Sequence, residues 1–114
     1  MQNAAFRARN FPYVYVPFLV RPADLAEAVH SIRSLNLIGV NVTVPHKERI
    51  VRHLDALSAE ASLCGAVNTV VNCKGTLFGD NTDGRGFLVS LQERWLSPRR
   101  REMVLIGAGG ATRA

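Results

Sequence analysis

Four short stretches carry the residue types that do chemistry on small polar molecules. In NVTVPHKERI, residues 41–50, an alternating apolar and polar run ends at Pro45, and Lys47 follows at once. A lysine at the end of a strand can reach a ligand oxygen in the crevice where α/β sheets bind their substrates. Taken out of water, its ammonium gives up a proton more readily and can take part in acid–base work. The ordinary alternative is a solvated lysine on the following helix. In GDNTDGRG, residues 79–86, two carboxylates, an amide and a hydroxyl sit among three glycines. Asp83 suits a helix N-cap, but a cap needs one polar residue and Asp80 to Asp83 supply four. Polar groups converging at a strand end are what a polyhydroxylated ligand requires. Asp83 could then face Lys47 and orient it or share its proton.

Asn68 and Thr69 interrupt the apolar strand AVNTVV. Strand alternation puts Asn41 and Thr43 on one face, opposite Val40, Val42 and Val44. That face is either a polar pocket wall or a solvent-facing sheet surface. Finally, GAGGATRA places Gly107 and Gly109 directly after the apolar run MVLI. A strand entering a glycine-rich turn commonly opens a dinucleotide-binding unit, although Thr112 stands where a third glycine is usual.

The elements that must position these residues follow from periodicity. YVYVPFLV, residues 13–20, is β-branched and aromatic and is expected to be a buried strand. Pro22 opens a helix whose Leu25, Val29, Ile32 and Leu35 share a face. Residues 37–44 form a second strand, making a βαβ unit with parallel strands. A short helix over 47–57 follows, then one capped by Ser58 and running to Cys64. Residues 66–72 and 76–78 read as a hairpin about a glycine turn. Asp83 precedes a helix with Phe87, Leu88, Leu91 and Trp95 on one side. Residues 103–106 read as a buried strand.

The chain has 114 residues and 47% hydrophobic content, enough for one ordinary α/β domain with a core. No apolar run is long enough to cross a membrane, and the N-terminus lacks the layout of a secretion signal. With two cysteines, Cys64 and Cys73, both expected to be buried or half-buried, the expectation is a reduced cytoplasmic protein without a metal site. The net charge of +5 is spread along the chain apart from Arg99, Arg100 and Arg101. No aromatic residues interleave with the basic ones, so neither nucleic acid nor membrane is an expected partner.

Four motifs in order, NVTVPHK, GAVNT, GDNTDG and GAGGA, make the chain resemble the shikimate dehydrogenase family, with its quinate-using relatives. The likeness runs over essentially the whole chain. It implies reversible reduction of 3-dehydroshikimate to shikimate with NADPH, on the route through chorismate to the aromatic amino acids. It implies a mostly parallel α/β substrate-binding domain over 1–98 and the start of an NADP-binding Rossmann domain over 99–114. Lys47 and Asp83 match the family's catalytic pair. Thr43, Lys47, Asn68 and Asp83 match its substrate ligands. Gly107, Ala108, Gly109, Gly110 and Ala111 match the cofactor loop, whose amides would meet the pyrophosphate. The resemblance is compatible with a homodimer in the complete protein and assigns His46 no role.

Members of the family begin with a strand whose serines hold the substrate carboxylate, and that strand is expected upstream of Met1. Most of the Rossmann domain is expected downstream of Ala114. The chain by itself is therefore expected to have little dehydrogenase activity. A non-catalytic module that retains shikimate or quinate affinity is the alternative.

Overall fold

The computed structural model describes residues 1–99, 102, 104, 106, 107 and 109–114. Helix α1 spans Gln2–Ala8, and helix α2 spans Leu25–Ser34 after a 3-10 turn that Pro22 opens. Strand β1 is Gly39–Asn41, β2 is Ala56–Leu57, β3 is Thr69–Cys73 and β4 is Thr76–Asp80. Helices α3 (Ala59–Cys64), α4 (Asp83–Glu93) and α5 (Gly110–Arg113) complete the order.

The sheet runs β1-β3-β4-β2. It is α/β in class but mixed rather than mostly parallel: β1–β3 and β3–β4 are antiparallel, and β2–β4 is parallel. The hairpin is the local part. Its turn residues Lys74 and Gly75 both take positive φ, +54° and +94°, the geometry of a type I′ turn. The parallel pair comes from residues 56–57, which were expected to end a helix. Instead Arg49–His53 is a 3-10 turn and Ala56–Leu57 pairs with Phe78 and Gly79.

The segment over 13–20, expected as a strand, is in no strand and has no ladder partner among the described residues, and its side chains are exposed apart from half-buried Val20. The βαβ pairing with 37–44 is therefore not made, and only Gly39–Asn41 of that run is strand. The Asn3 side chain serves as a partial substitute, bonding both the N–H and the C=O of Tyr15 at 2.7 and 2.8 Å. Of the expected strand over 103–106, Met103 and Leu105 lie outside the described residues. Val104 and Ile106 are exposed and in no strand.

The core lies between α2 and the sheet. Leu25, Val29 and Ile32 from α2 meet Ile50, Ala61, Val67, Val70 and Leu77. The tips of α2 and the hairpin are bound together: Arg33 reaches Asp55 at 2.7 Å and the Gly75 carbonyl at 2.9 Å, and Asn72 donates to the Leu37 carbonyl at 2.9 Å. Ser58 caps α3 as expected, accepting from the Ala61 N–H at 3.0 Å. The apolar side of α4 is uncovered: Phe87 and Leu88 are exposed, and Trp95 lies beyond the helix end, also exposed. Cys64 is half-buried, but Cys73 is exposed because it ends β3 at the hairpin turn.

Gly79 sits where the sheet leaves no room. A Cβ there would lie 2.5 Å from Leu54 Cδ1 and 2.9 Å from Val67 Cγ2. Gly79→Ala is expected to lower stability by ~1–3 kcal/mol through overpacking, read as a fall in the urea midpoint. An unchanged midpoint would mean that Leu54 and Val67 yield freely.

Candidate active site

The strand registers align four polar residues at one end of the sheet. Asn41 pairs with Thr69, and Thr69 with Asp80. Ser58 follows β2 and donates its N–H to the Gly79 carbonyl at 2.9 Å, which brings it beside Asp80. Just past this row the chain turns away from the sheet at three places, and these turns carry Lys47, Asn68 and Asp83. Backbone bonds fix them. Val42 N–H donates to the Asn68 carbonyl at 2.7 Å, Asn68 N–H to the Asp80 carbonyl at 3.0 Å, and Val67 N–H to the Lys47 carbonyl at 2.8 Å.

Lys47 and Asp83 do face each other. Nζ lies 2.5 Å from Asp83 Oδ2, with 15% and 33% of the two side chains exposed. The other carboxylate oxygen accepts from Asn68 Nδ2 at 2.7 Å. The Asn68 amide has a single sensible orientation. Its Oδ1 accepts from the Thr82 backbone N–H at 3.0 Å, a group that can only donate, so Nδ2 must face Asp83. Thr69 adds a hydroxyl bond to the same Oδ1 at 3.0 Å, and Asn41 donates to the Thr69 hydroxyl at 3.3 Å. Asp83 is the first residue of α4 rather than its cap; Thr82 occupies the cap position.

Burial raises the Asp83 carboxyl, but the hydrogen bonds from Lys47 and Asn68 and the Lys47 charge outweigh it, leaving the pKa below the ordinary aspartate value. Asp80 is also lowered, first by the Ser58 hydroxyl, with the Asn81 N–H and the Arg85 guanidinium adding to it against burial. Asp55 is lowered by the Leu77 N–H and then by Arg33. Carboxylates with depressed folded values stabilise the fold above their unfolded pKa, about 3.9, and lose that contribution as pH falls through the folded values. The urea midpoint is thus expected to hold from neutrality to about pH 5 and to fall through pH 4 and below. A midpoint that is flat from pH 5 to pH 3 would contradict these shifts.

Thr43 is exposed beside this cluster, its carbonyl accepting from the His46 N–H at 2.9 Å. His46 bonds the Val20 carbonyl through Nε2 at 2.8 Å, tying the 13–20 segment to the lysine turn. On the far side Gly109 and Gly110, with Val44, Pro45, Lys47, Glu48 and Arg49, line a cavity of about 290 Å³. A Cβ on Gly110 would lie 3.3 Å from both Lys47 Cβ and Ala66 Cβ, so the glycine permits the turn to close on the lysine. Arg113 reaches Glu48 at 3.6 Å across the same gap. Ala108, in the middle of the expected cofactor loop, lies outside the described residues. Among the described residues no group of three or more metal-ligating side chains gathers.

Sequence reasoning passed over Ser58 as a site neighbour, and Asn81 and Thr82 as individuals. The signal for the last two was the density of polar residues from Asp80 to Asp83.

An α/β domain that sets a lysine–aspartate pair among amides and hydroxyls, with a glycine turn closing over it, has the form of a small-molecule-binding domain. The chain belongs to the shikimate dehydrogenase substrate binding domain family, whose model matches residues 1–70. Shikimate dehydrogenase (NADP(+)) of Desulforamulus reducens is 52% identical over 115 residues, and that of Symbiobacterium thermophilum is 51% identical over 114. All of this chain aligns with each, but it spans only 40% and 39% of their lengths. Among solved structures, a shikimate dehydrogenase in complex with NADP+ superposes with a TM-score of 0.94 at 41% identity, over 98% of this chain and 39% of that one. A Listeria monocytogenes shikimate 5-dehydrogenase in complex with shikimate and NAD gives 0.90 at 43% identity, with the same coverage.

Proposed function

We propose that this chain forms the substrate-binding side of a shikimate dehydrogenase that reversibly reduces 3-dehydroshikimate to shikimate with NADPH. The observation that carries this reading is the Lys47–Asp83 contact at 2.5 Å, with Asn68 holding the second carboxylate oxygen at 2.7 Å. In the oxidation direction the substrate hydroxyl passes its proton to this pair; in reduction the pair returns it to the carbonyl oxygen. The pair is poised for this because the carboxylate holds the ammonium in place while Asn68 prevents the carboxylate from turning. Thr43 and Asn68, with Lys47 and Asp83, hold the substrate hydroxyls. The glycine turn of Gly107, Ala108, Gly109, Gly110 and Ala111 is the cofactor loop, and the approach of Gly110 to Lys47 fits a dinucleotide laid beside the lysine. Bound there, NADP(H) supplies or accepts the hydride. Residues 1–98 make the substrate-binding domain and 99–114 begin the Rossmann domain. The protein acts in the cytoplasm, on the route to chorismate and the aromatic amino acids.

The test is a chimera in which residues 1–114 replace the matching segment of the Desulforamulus reducens enzyme. NADPH appearance is followed with shikimate and NADP+. Turnover of about 1–10³ s⁻¹ is expected. A folded chimera with no turnover above background would overturn the reading.

A further inference from the structure

Asn81 is the buried polar side chain of the core among the described residues, 2% exposed. Its amide is fully used. Oδ1 accepts from the Asp83 N–H at 3.0 Å, and Nδ2 donates to the Ala66 carbonyl at 3.0 Å. That carbonyl belongs to the peptide group joining Ala66 to Val67, both wholly buried. The N–H on the other side of the same peptide group, from Val67, donates to the Lys47 carbonyl at 2.8 Å. The backbones of Lys47 and Asp83 are therefore attached to opposite sides of a single peptide plane, one directly and one through the Asn81 amide. The side-chain contact between Lys47 and Asp83 closes the ring.

We propose that Asn81 is a positioning residue that sets the separation of Lys47 and Asp83. The proposal rests on reading those two residues as the proton-transfer pair. The chemistry of the position calls for an amide. It must donate towards a carbonyl and accept from an N–H within one side chain. An ionised aspartate only accepts, and it would set a charge against the Ala66 carbonyl. Serine is too short to span the gap, and glutamine adds a methylene in a filled space. The backbone of Asn81 is itself held, since its N–H donates to Asp80 Oδ1 at 2.8 Å. Asp80 is anchored in turn by Ser58 at 2.6 Å and Arg85 at 2.6 Å. An amide that only filled a polar void would not need so rigid a base or so short a path to both residues.

The experiment places Asn81→Ser and Asn81→Asp in the chimera and in the 114-residue chain. A displacement of roughly 1 Å between reacting groups costs on the order of 100-fold. The kcat of both variants is thus expected to fall about 100-fold, with the KM for shikimate changed by less than about threefold. In the 114-residue chain, the Asp83 carboxyl followed by carbon-13 resonance is expected to titrate at higher pH in Asn81→Ser, as the Lys47 bond loosens. A folded Asn81→Ser protein with kcat within about threefold of the parent and an unmoved Asp83 titration would overturn the proposal. If neither variant folds, hydrogen exchange in the unsubstituted chain decides: the amides of Asp83 and Val67 must be protected together, and a freely exchanging Asp83 amide beside a protected Val67 overturns it. Full turnover in a Lys47→Met chimera would remove the proton-transfer reading, while the Asp83 titration in Asn81→Ser would still decide whether Asn81 sets the spacing.

Discussion

Lys47→Met in the chimera is expected to lower kcat by ~10²–10⁴-fold, the range for a positioned acid–base group. Methionine keeps the aliphatic stem and removes the ammonium, so packing against Gly110 survives while the proton carrier is lost. The KM for shikimate is expected to rise only a few-fold, because the proposed hydroxyl ligands Asn68 and Asp83 remain. Asp83 loses both the bond and the charge that lower its pKa, which leaves the raising effect of burial opposed by Asn68 alone. Asp83→Asn should show a fall of similar size. The double variant should be little worse than the poorer single one, since groups that act as a unit are non-additive. Steady-state rates with saturating NADP+ decide the matter. A Lys47→Met protein within tenfold of the parent would show that the proton travels another way.

Leu77→Ala carries the largest expected effect on the fold. Leu77 has no exposed surface and lies in β4, between α2 and the strands that hold the site. Removing a buried leucine side chain costs ~2–5 kcal/mol, by lost transfer energy and by the void left behind. Domains of this size have ~5–15 kcal/mol in total. The core here is small: nine buried apolar residues among those described, two of them the alanines Ala61 and Ala66. With a urea slope of ~1–3 kcal/mol per molar, the midpoint should fall by at least about 0.7 M, or the transition should vanish. Leu63→Ala, at a position 90% exposed, is the control and should leave the midpoint unmoved. A loss below ~1 kcal/mol at Leu77 would mean that the sheet collapses into the space.

What could be read from the chain was what is decided locally. The hairpin, α2 and the Ser58 cap rest on turn residues and apolar spacing; the pairing of Lys47 with Asp83, 36 residues apart, was legible only through the motifs that carry them. Residues 13–20 failed for a different reason. Their β-branched and aromatic side chains report fitness for a sheet, and a strand also needs a neighbour to bond, which this sheet does not place beside them. Ala56–Leu57 failed the opposite way: two residues carry no periodicity, and only a parallel partner 22 residues along the chain makes them strand. Asn81 was invisible as an individual because its amide bonds the Ala66 carbonyl, which only the folded chain brings near.

The two-residue turn at Lys74 and Gly75 also sets an order of assembly. A hairpin closed by so tight a turn forms in about 1–10 μs. Once β3 and β4 zip, Asn68 and Asp83, 15 residues apart, are already neighbours. Lys47 is 36 residues from Asp83 and must close a longer loop. The entropy difference is ~0.8 kcal/mol, and the more sequence-distant contact is expected to form later. During folding the Asn68 amide and the Asp83 carboxylate are expected to meet first, and the lysine to arrive last. On the proposed reading, a nascent chain would acquire the half of the site that binds hydroxyls before the half that moves a proton.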